Sequence, residues 1–214
     1  MAVQKKNIII VGAGGFGREI ASLMLDATQP DQDWVIKGFL DDTLATIAST
    51  VLGFPVLSTV DSYSVGDNDY FLVAIGSPQD RQTMVKKIEK KGGYFFTFIH
   101  PKAMVLTTAI IGRGCIIYPY VVISTGAVLG NFVSVNFFTA VGHDSSIGAY
   151  SFICAHCDIT GGVRIGERVV LGNGANTIPG IKIGDDAILA AGSTAFRNIG
   201  NGKTFIGCPA KLLS

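Results

Sequence analysis

Three short stretches hold residue types that can do chemistry. The first is Gly142-His143-Asp144, an imidazole followed directly by a carboxylate. Imidazole titrates near neutral pH and can serve as a general base, and a nearby carboxylate orients the ring or raises its basicity. Taken alone, such a histidine is more often solvated surface than catalyst. The second stretch is Val11-Gly12-Ala13-Gly14-Gly15-Phe16-Gly17, with Asp41 24 residues beyond Gly17. A glycine turn of this kind, after a strand and opening a helix, lets backbone N–H groups approach phosphate oxygens. It indicates a diphosphate and leaves two alternatives open. One is a nicotinamide dinucleotide, for which a first half of this length lacks the usual second half of the fold. The other is a turn kept only for helix–sheet packing. The third stretch is Cys154-Ala155-His156-Cys157. A structural zinc site takes four ligands and the chain has one such cysteine pair, so small-residue packing is the reading and no metal is expected. His100, before Pro101, reads as a hinge or cap.

The elements that must position these residues follow two different grammars. Of the 33 charged residues, 21 fall in residues 1–104 and only nine in 105–195, so a domain boundary is expected near His100-Pro101, giving domains 1–100 and 101–214. The first half alternates: strands over 7–11, 35–40, 70–75 and 94–99, and helices over 15–25 and 79–91, which argues for a small parallel α/β sheet. In the second half, stepping by six from Val105 to Ala195 gives 16 positions, of which 15 are apolar and Thr177 departs, with Ile178 beside it as a substitute. Two residues before each of these positions the side chain is usually small, as at Cys115, Thr139, Ser145, Ser151 and Cys157; one residue after, it is often glycine. A period of six fits neither a helix nor a plain alternating strand. It is the pattern of a parallel β-helix whose aliphatic residue points inward, here of about five three-sided coils.

Composition excludes several classes. A formal net charge of +1 leaves no electrostatic footprint for nucleic acid. The apolar run 8–11 ends at Gly12, too short for a membrane span or a secretory segment. Four cysteines in 214 residues fit a reduced, cytoplasmic protein. Tyr118, Tyr120, Phe132, Phe137 and Phe138 lie off the inward register, and exposed aromatic residues there suggest subunit contacts.

The hexapeptide repeat resembles that of the hexapeptide-repeat acyltransferases. Nearly the whole chain is similar to the bacterial nucleotide-sugar N-acetyltransferases, the group related to the sialic acid O-acetyltransferases. The resemblance is carried by residues 11–17, Phe39-Leu40-Asp41-Asp42, Ala74-Ile75-Gly76, Ile99-His100-Pro101, Val141-Gly142-His143-Asp144 and Gly207-Cys208-Pro209-Ala210-Lys211, in that order. It implies an N-terminal Rossmann-like domain joined to a left-handed β-helix. It implies acetyl transfer from acetyl-CoA to the amine of a nucleotide-linked 4-amino-4,6-dideoxy sugar for surface glycans such as lipopolysaccharide. His143 is then the general base, with Asp144 beside it and Asn136 helping to position the acceptor. Gly14, Gly15, Phe16, Asp41, Asp42 and Gly76 hold the nucleotide sugar. Phe152, Gly161, Asn173 and Ala191 line the acetyl-CoA site. The family often carries histidine where Phe16 and Phe152 stand. Its β-helices pack as homotrimers. O-acetylation of a sugar hydroxyl and a non-catalytic nucleotide-binding scaffold are the other readings of the same chain.

Overall fold

The computed structural model of the chain describes residues 5–28, 31–43 and 49–212. These divide into two compact units, Met1–Thr97 and Phe98–Ser214. The first unit contains β1 (Lys6–Val11), α1 (Gly15–Asp26), β2 (Trp34–Leu40), β3 (Thr50–Val51), β4 (Phe54–Ser58), β5 (Asp69–Val73), α2 (Pro78–Lys90) and β6 (Tyr94–Phe95). The sheet order is β3-β4-β2-β1-β5-β6, parallel except for the β3–β4 pair. β1 carries an unbroken aliphatic run, and Ile8, Ile9 and Ile10 are fully buried, as expected for a central parallel strand covered on both faces. The β3–β4 pair was not foreseen, because its strands are short and Pro55 interrupts the second.

A polar cluster joins Lys37 of β2 to Asp69 at the start of β5. The buried Asp69 carboxylate accepts from Lys37 Nζ at 2.8 Å, from the Tyr63 hydroxyl at 2.7 Å and from Gly66 N–H at 2.9 Å. Burial pushes its pKa up, but the hydrogen bonds from Lys37, Tyr63 and Gly66 outweigh this and leave it lowered. A carboxyl depressed on folding stabilises the folded state above its unfolded pKa, and that contribution is lost as pH falls through the folded value. The urea midpoint of the wild-type protein is therefore expected to drop below about pH 4. In Asp69→Asn the drop should be shallower, and equal pH slopes in the two proteins would remove the cluster from this account.

The second unit is a left-handed parallel β-helix. Its first face stacks 98–99, 116–117, 134–135, 152–153, 170–171, 188–189 and 204–206, closed by an antiparallel strand at Lys211–Leu212. The second face has six strands (104–105, 122–123, 140–141, 158–159, 176–177, 194–195) and the third has five (110–111, 128–129, 146–147, 164–165, 182–183). Six coils are therefore present rather than five. The helix begins at Phe98, and it adds a shortened last coil in which Ile199 bridges to Ile183. The segment 94–99, expected as one strand, is two: Tyr94–Phe95 joins the α/β sheet and Phe98–Ile99 is the first rung of the helix. Thr177 keeps the inward slot itself, 4% exposed, because its Oγ1 accepts from Thr160 N–H at 3.1 Å.

From Ile117 to Ala195 the inward residues form one continuous column of burial, each large aliphatic side chain worth about 1.5–3 kcal/mol. The small residues at the corners do something more specific. Ser151 Oγ donates to Gly166 O at 2.9 Å and accepts from Val169 N–H at 3.0 Å; Ser145 bonds Thr160 O and Val163 N–H, and Thr139 bonds Cys154 O and Cys157 N–H, in the same way. One hydroxyl thus satisfies two backbone groups of the next coil. Ser151→Ala would orphan both and is expected to cost about 2 kcal/mol, read as a lower urea midpoint. An unchanged midpoint would mean that another group satisfies them.

Of the five aromatic residues expected on the surface, Tyr118 and Phe132 are buried within the chain and Phe137 is half-buried. Phe132 stacks on Tyr150 with ring centroids 5.1 Å apart, and Tyr118 packs edge-on against Phe137 at 4.6 Å. Only Tyr120 and Phe138 are exposed, at 48% and 54%. They stack face to face at 5.1 Å, and Phe138 stacks in turn on His156.

Candidate active site

In the α/β unit the glycine turn, Asp41 and Gly76 follow β1, β2 and β5, three adjacent strands whose order reverses at β1. This is the carboxyl-end position where open α/β sheets bind ligands. Gly12 has φ +102°, and a Cβ there would lie 2.8 Å from Ala74 O, so the chain can pass only as glycine. α1 starts at an N-cap, Gly14, that supplies no side-chain hydrogen bond, and nothing lies within 4 Å of where Cβ atoms of Gly14, Gly15 and Gly76 would be. The start of the helix is thus open around Gly14 and Gly15. Asp41 Oδ2 accepts from Ala13 N–H at 2.8 Å and so pins the turn, while its Oδ1 accepts from Thr43 N–H and Oγ1. Partial burial raises the Asp41 pKa, but these bonds prevail and hold it low, so it stays a carboxylate. Asp42 accepts from Val60 N–H at 2.8 Å. Both aspartates line a cavity of about 320 Å³ with Gly12, Val60, Asp80 and Met84. Asp80 was missed from sequence, although Ser77-Pro78-Gln79-Asp80 carries the capping signal that places it in the first turn of α2. Phe16 is half-buried.

In the β-helix, His143 and Asp144 occupy the corner after the third rung of the second face. His143 Nδ1 and Asp144 Oδ2 are 2.8 Å apart, so adjacent residues do touch here. The contact is possible because Asp144 has φ +57°, a left-handed corner conformation, with its N–H bonded to Thr125 O. With Nδ1–H donating to the carboxylate, Nε2 is left as the acceptor. Glycines flank the pair on both neighbouring coils. A Cβ on Gly126 would lie 2.5 Å from Asp144 Oδ1, and a Cβ on Gly161 would overlap His143 Nε2 and lie 2.7 Å from its Cε1. Gly161 therefore forms the surface against which the imidazole rests.

The N–H of Gly161 has no hydrogen-bond acceptor among the described residues. At some other corners the equivalent N–H is met by a side chain from the next coil, as Ala155 N–H is by Asn173 Oδ1 and Glu167 N–H by Asp185 Oδ1. Eighteen residues after Gly161 stands Pro179, which offers no such group.

The remaining sequence candidates do not all gather at this corner. Asn136 lies on the corner after the first face, its Oδ1 accepting from Phe137 N–H at 2.6 Å. Asn173 and Ala191 stand together on that same corner, one coil apart, and Phe152 lies on the first face. The thiols lack the environment of nucleophiles. Cys157 Sγ donates to Gly172 O at 3.2 Å and burial pushes its pKa up to about 12; burial raises that of Cys154 as well. His100 is buried, with Nδ1 accepting from Lys102 N–H at 3.1 Å, a turn-capping role. No described helix is long and apolar enough to cross a membrane.

Residues 7–88 match the PglD N-terminal domain. The chain is 34% identical over 169 residues to GDP-perosamine N-acetyltransferase of Escherichia coli O157:H7, covering 78% of this chain and 75% of that protein. Its structure is similar to the acetyltransferase domain of PglB from Neisseria gonorrhoeae FA1090, at 30% identity and a TM-score of 0.87 over 98% of this chain and all of that one. It is similar also to PerB from Caulobacter crescentus in complex with CoA and GDP-perosamine, at 27% identity and a TM-score of 0.88 over the full length of both.

Proposed function

Because the chain belongs to the hexapeptide-repeat sugar N-acetyltransferase family, we propose that it moves the acetyl group of acetyl-CoA to the amine of a nucleotide-linked 4-amino-4,6-dideoxy hexose. The observation that carries the chemistry is the His143–Asp144 pair, whose ring rests against Gly161, a residue whose N–H has no acceptor among the described residues. In aminolysis of a thioester the amine nitrogen bonds the carbonyl carbon, the C–S bond breaks, and the nitrogen sheds a proton as CoA leaves. His143 Nε2 takes that proton. Asp144 holds the ring in the required tautomer and stabilises the imidazolium that forms. Gly161 N–H meets the oxygen that becomes negative in the tetrahedral intermediate.

The open turn at Gly14 and Gly15, with Asp41, Asp42, Gly76 and Phe16 around it, receives the nucleotide. Asn136 orients the acceptor. Asn173, its carboxamide oxygen held by Ala155 N–H, offers its amino group to the pantetheine arm, with Ala191 and Phe152 nearby on the same unit. The side chains of His143 and Asp144 are 66% and 73% exposed, so one chain leaves the reacting centre open to water. That exposure, with the exposed Tyr120–Phe138 stack, supports a homotrimer in which a second copy closes over the corner; a monomeric mass by light scattering would exclude it. The reaction belongs in the cytoplasm, where acetyl-CoA and nucleotide sugars are both available, and its product serves lipopolysaccharide or related surface glycans.

The test is thiol release from acetyl-CoA with GDP-, UDP- and dTDP-linked 4-amino sugars, and with matched hydroxyl sugars as acceptors. Release with an amino sugar and none with its hydroxyl counterpart is expected. Release with hydroxyl acceptors alone would replace N- by O-acetylation, and silence across the panel would favour a scaffold.

A further inference from the structure

Arg81 is the one charged residue of α2 that is buried, at 1% exposure, while Asp80, Lys86, Glu89 and Lys90 on the same helix are exposed. A guanidinium keeps its charge, so burying one is costly unless its N–H groups are hydrogen-bonded. Here Nε donates to Ile75 O at 2.8 Å, and a terminal nitrogen donates to Gly76 O at 3.4 Å. Two of its partners are thus consecutive carbonyls in the segment between β5 and α2.

Those bonds orient two peptide planes. In a trans peptide the C=O and N–H point opposite ways, so carbonyls drawn toward Arg81 turn the N–H groups of Gly76 and Ser77 away from it. Neither N–H has an acceptor among the described residues, and nothing lies within 4 Å of where a Gly76 Cβ would be. The same segment packs against the glycine turn, since a Cβ on Gly12 would lie 2.8 Å from Ala74 O and 3.6 Å from Ile75 Cγ1. Ile75 also lines the cavity shared by Gly12, Asp41, Asp42 and Asp80. Among the described residues that lining contains no lysine or arginine. A diphosphate at this end of the sheet therefore finds backbone N–H groups rather than side-chain cations.

We propose that Arg81 is a positioning residue for the nucleotide: by holding the carbonyls of Ile75 and Gly76 it keeps the N–H groups of Gly76 and Ser77 available to the diphosphate oxygens. The inference rests on the nucleotide-sugar reading above. Arg81 acts only through these peptides and touches no substrate.

The experiment is calorimetric titration of wild type and variants with UDP, GDP and dTDP, and separately with acetyl-CoA. In Arg81→Met, which keeps the length of the side chain and removes its donors, the Kd of the diphosphate that wild type binds best is expected to rise about tenfold or more. The Kd of acetyl-CoA should stay within about twofold. In Arg81→Lys, whose single ammonium can hold a carbonyl without the fork of a guanidinium, the diphosphate Kd should fall between the two. A Kd does not depend on the fraction of protein folded, which the stoichiometry reports, so partial unfolding does not imitate the result. A second pair covers an Arg81→Met protein that fails to fold. Ser77→Ala and Ser77→Pro both lose the hydroxyl that caps α2, but only the second loses the N–H, at a φ of −66° that suits proline. Ser77→Pro should bind the diphosphate at least about threefold more weakly than Ser77→Ala. Equal diphosphate affinity in wild type and Arg81→Met, a parallel loss of acetyl-CoA affinity, or equal affinities in the two Ser77 variants would overturn the proposal and leave the nucleotide reading standing. Failure of wild type to bind any of the three diphosphates would overturn that reading, and this inference with it.

Discussion

Replacing His143 with asparagine is expected to lower kcat by about 10²- to 10⁴-fold, the range a positioned general base supplies. The KM values for both substrates should move little, because Nε2 acts on a proton that leaves only as the new bond forms. The His143 side chain is exposed and lies outside the aliphatic column, so the urea midpoint should be unchanged. The pH profile adds a stricter check. The acidic limb of kcat/KM in wild type reports the group that must be deprotonated, and it should disappear in the variant. A variant that keeps both its rate and its acidic limb would remove His143 from the reaction.

Gly161→Ala separates two roles for one residue. Gly161 does not require positive φ, and the nearest atoms a new methyl would meet all belong to the His143 ring. The coil should therefore keep its fold while the imidazole is pushed aside. Misplacing a reacting group by about 1 Å costs on the order of 10²-fold, and that loss is expected in kcat. If Gly161 served only as a point of close approach for the acyl donor, the same substitution would instead raise KM for acetyl-CoA and spare kcat. Gly161→Ala in which only that KM changes would return Gly161 to the donor site alone.

The distance between what was legible in the sequence and what was not follows the geometry of a coil. The inward slot recurs every six residues, so Val105 to Ala195 can be read directly as a column, and with it the β-helix. Contacts across coils recur every 18 residues. The seating of His143 on Gly161, of Asp144 against Gly126 and of Tyr120 on Phe138 are all pairs of that spacing. A reading at period six does not bring such pairs together. Writing the chain in rows of 18 would have done so, and would have set Pro179 beneath Gly161. The burial of Phe132 and Tyr118 was misjudged for the same reason: off the inward register, a side chain at a corner lies along the axis on its neighbour rather than out into solvent. In the α/β unit the motifs at Gly12 and Asp41 were legible because each strand end is marked by its own glycine or acid. The hydrogen bond from Ala13 N–H to Asp41 was not, since it joins the ends of two strands 28 residues apart.

His143 and Asp144 follow the third of six rungs on the second face. In a stack where each coil touches only its neighbours, opening starts at the two ends and becomes rarer with every coil inward. The geometry around Nε2 draws on the coils of Gly126 and Gly161 as well as its own, all of them inside the stack. Fraying of the first or last coil therefore leaves it intact, and the lifetime of the competent arrangement is governed by the interior interfaces rather than by the weakest end of the chain.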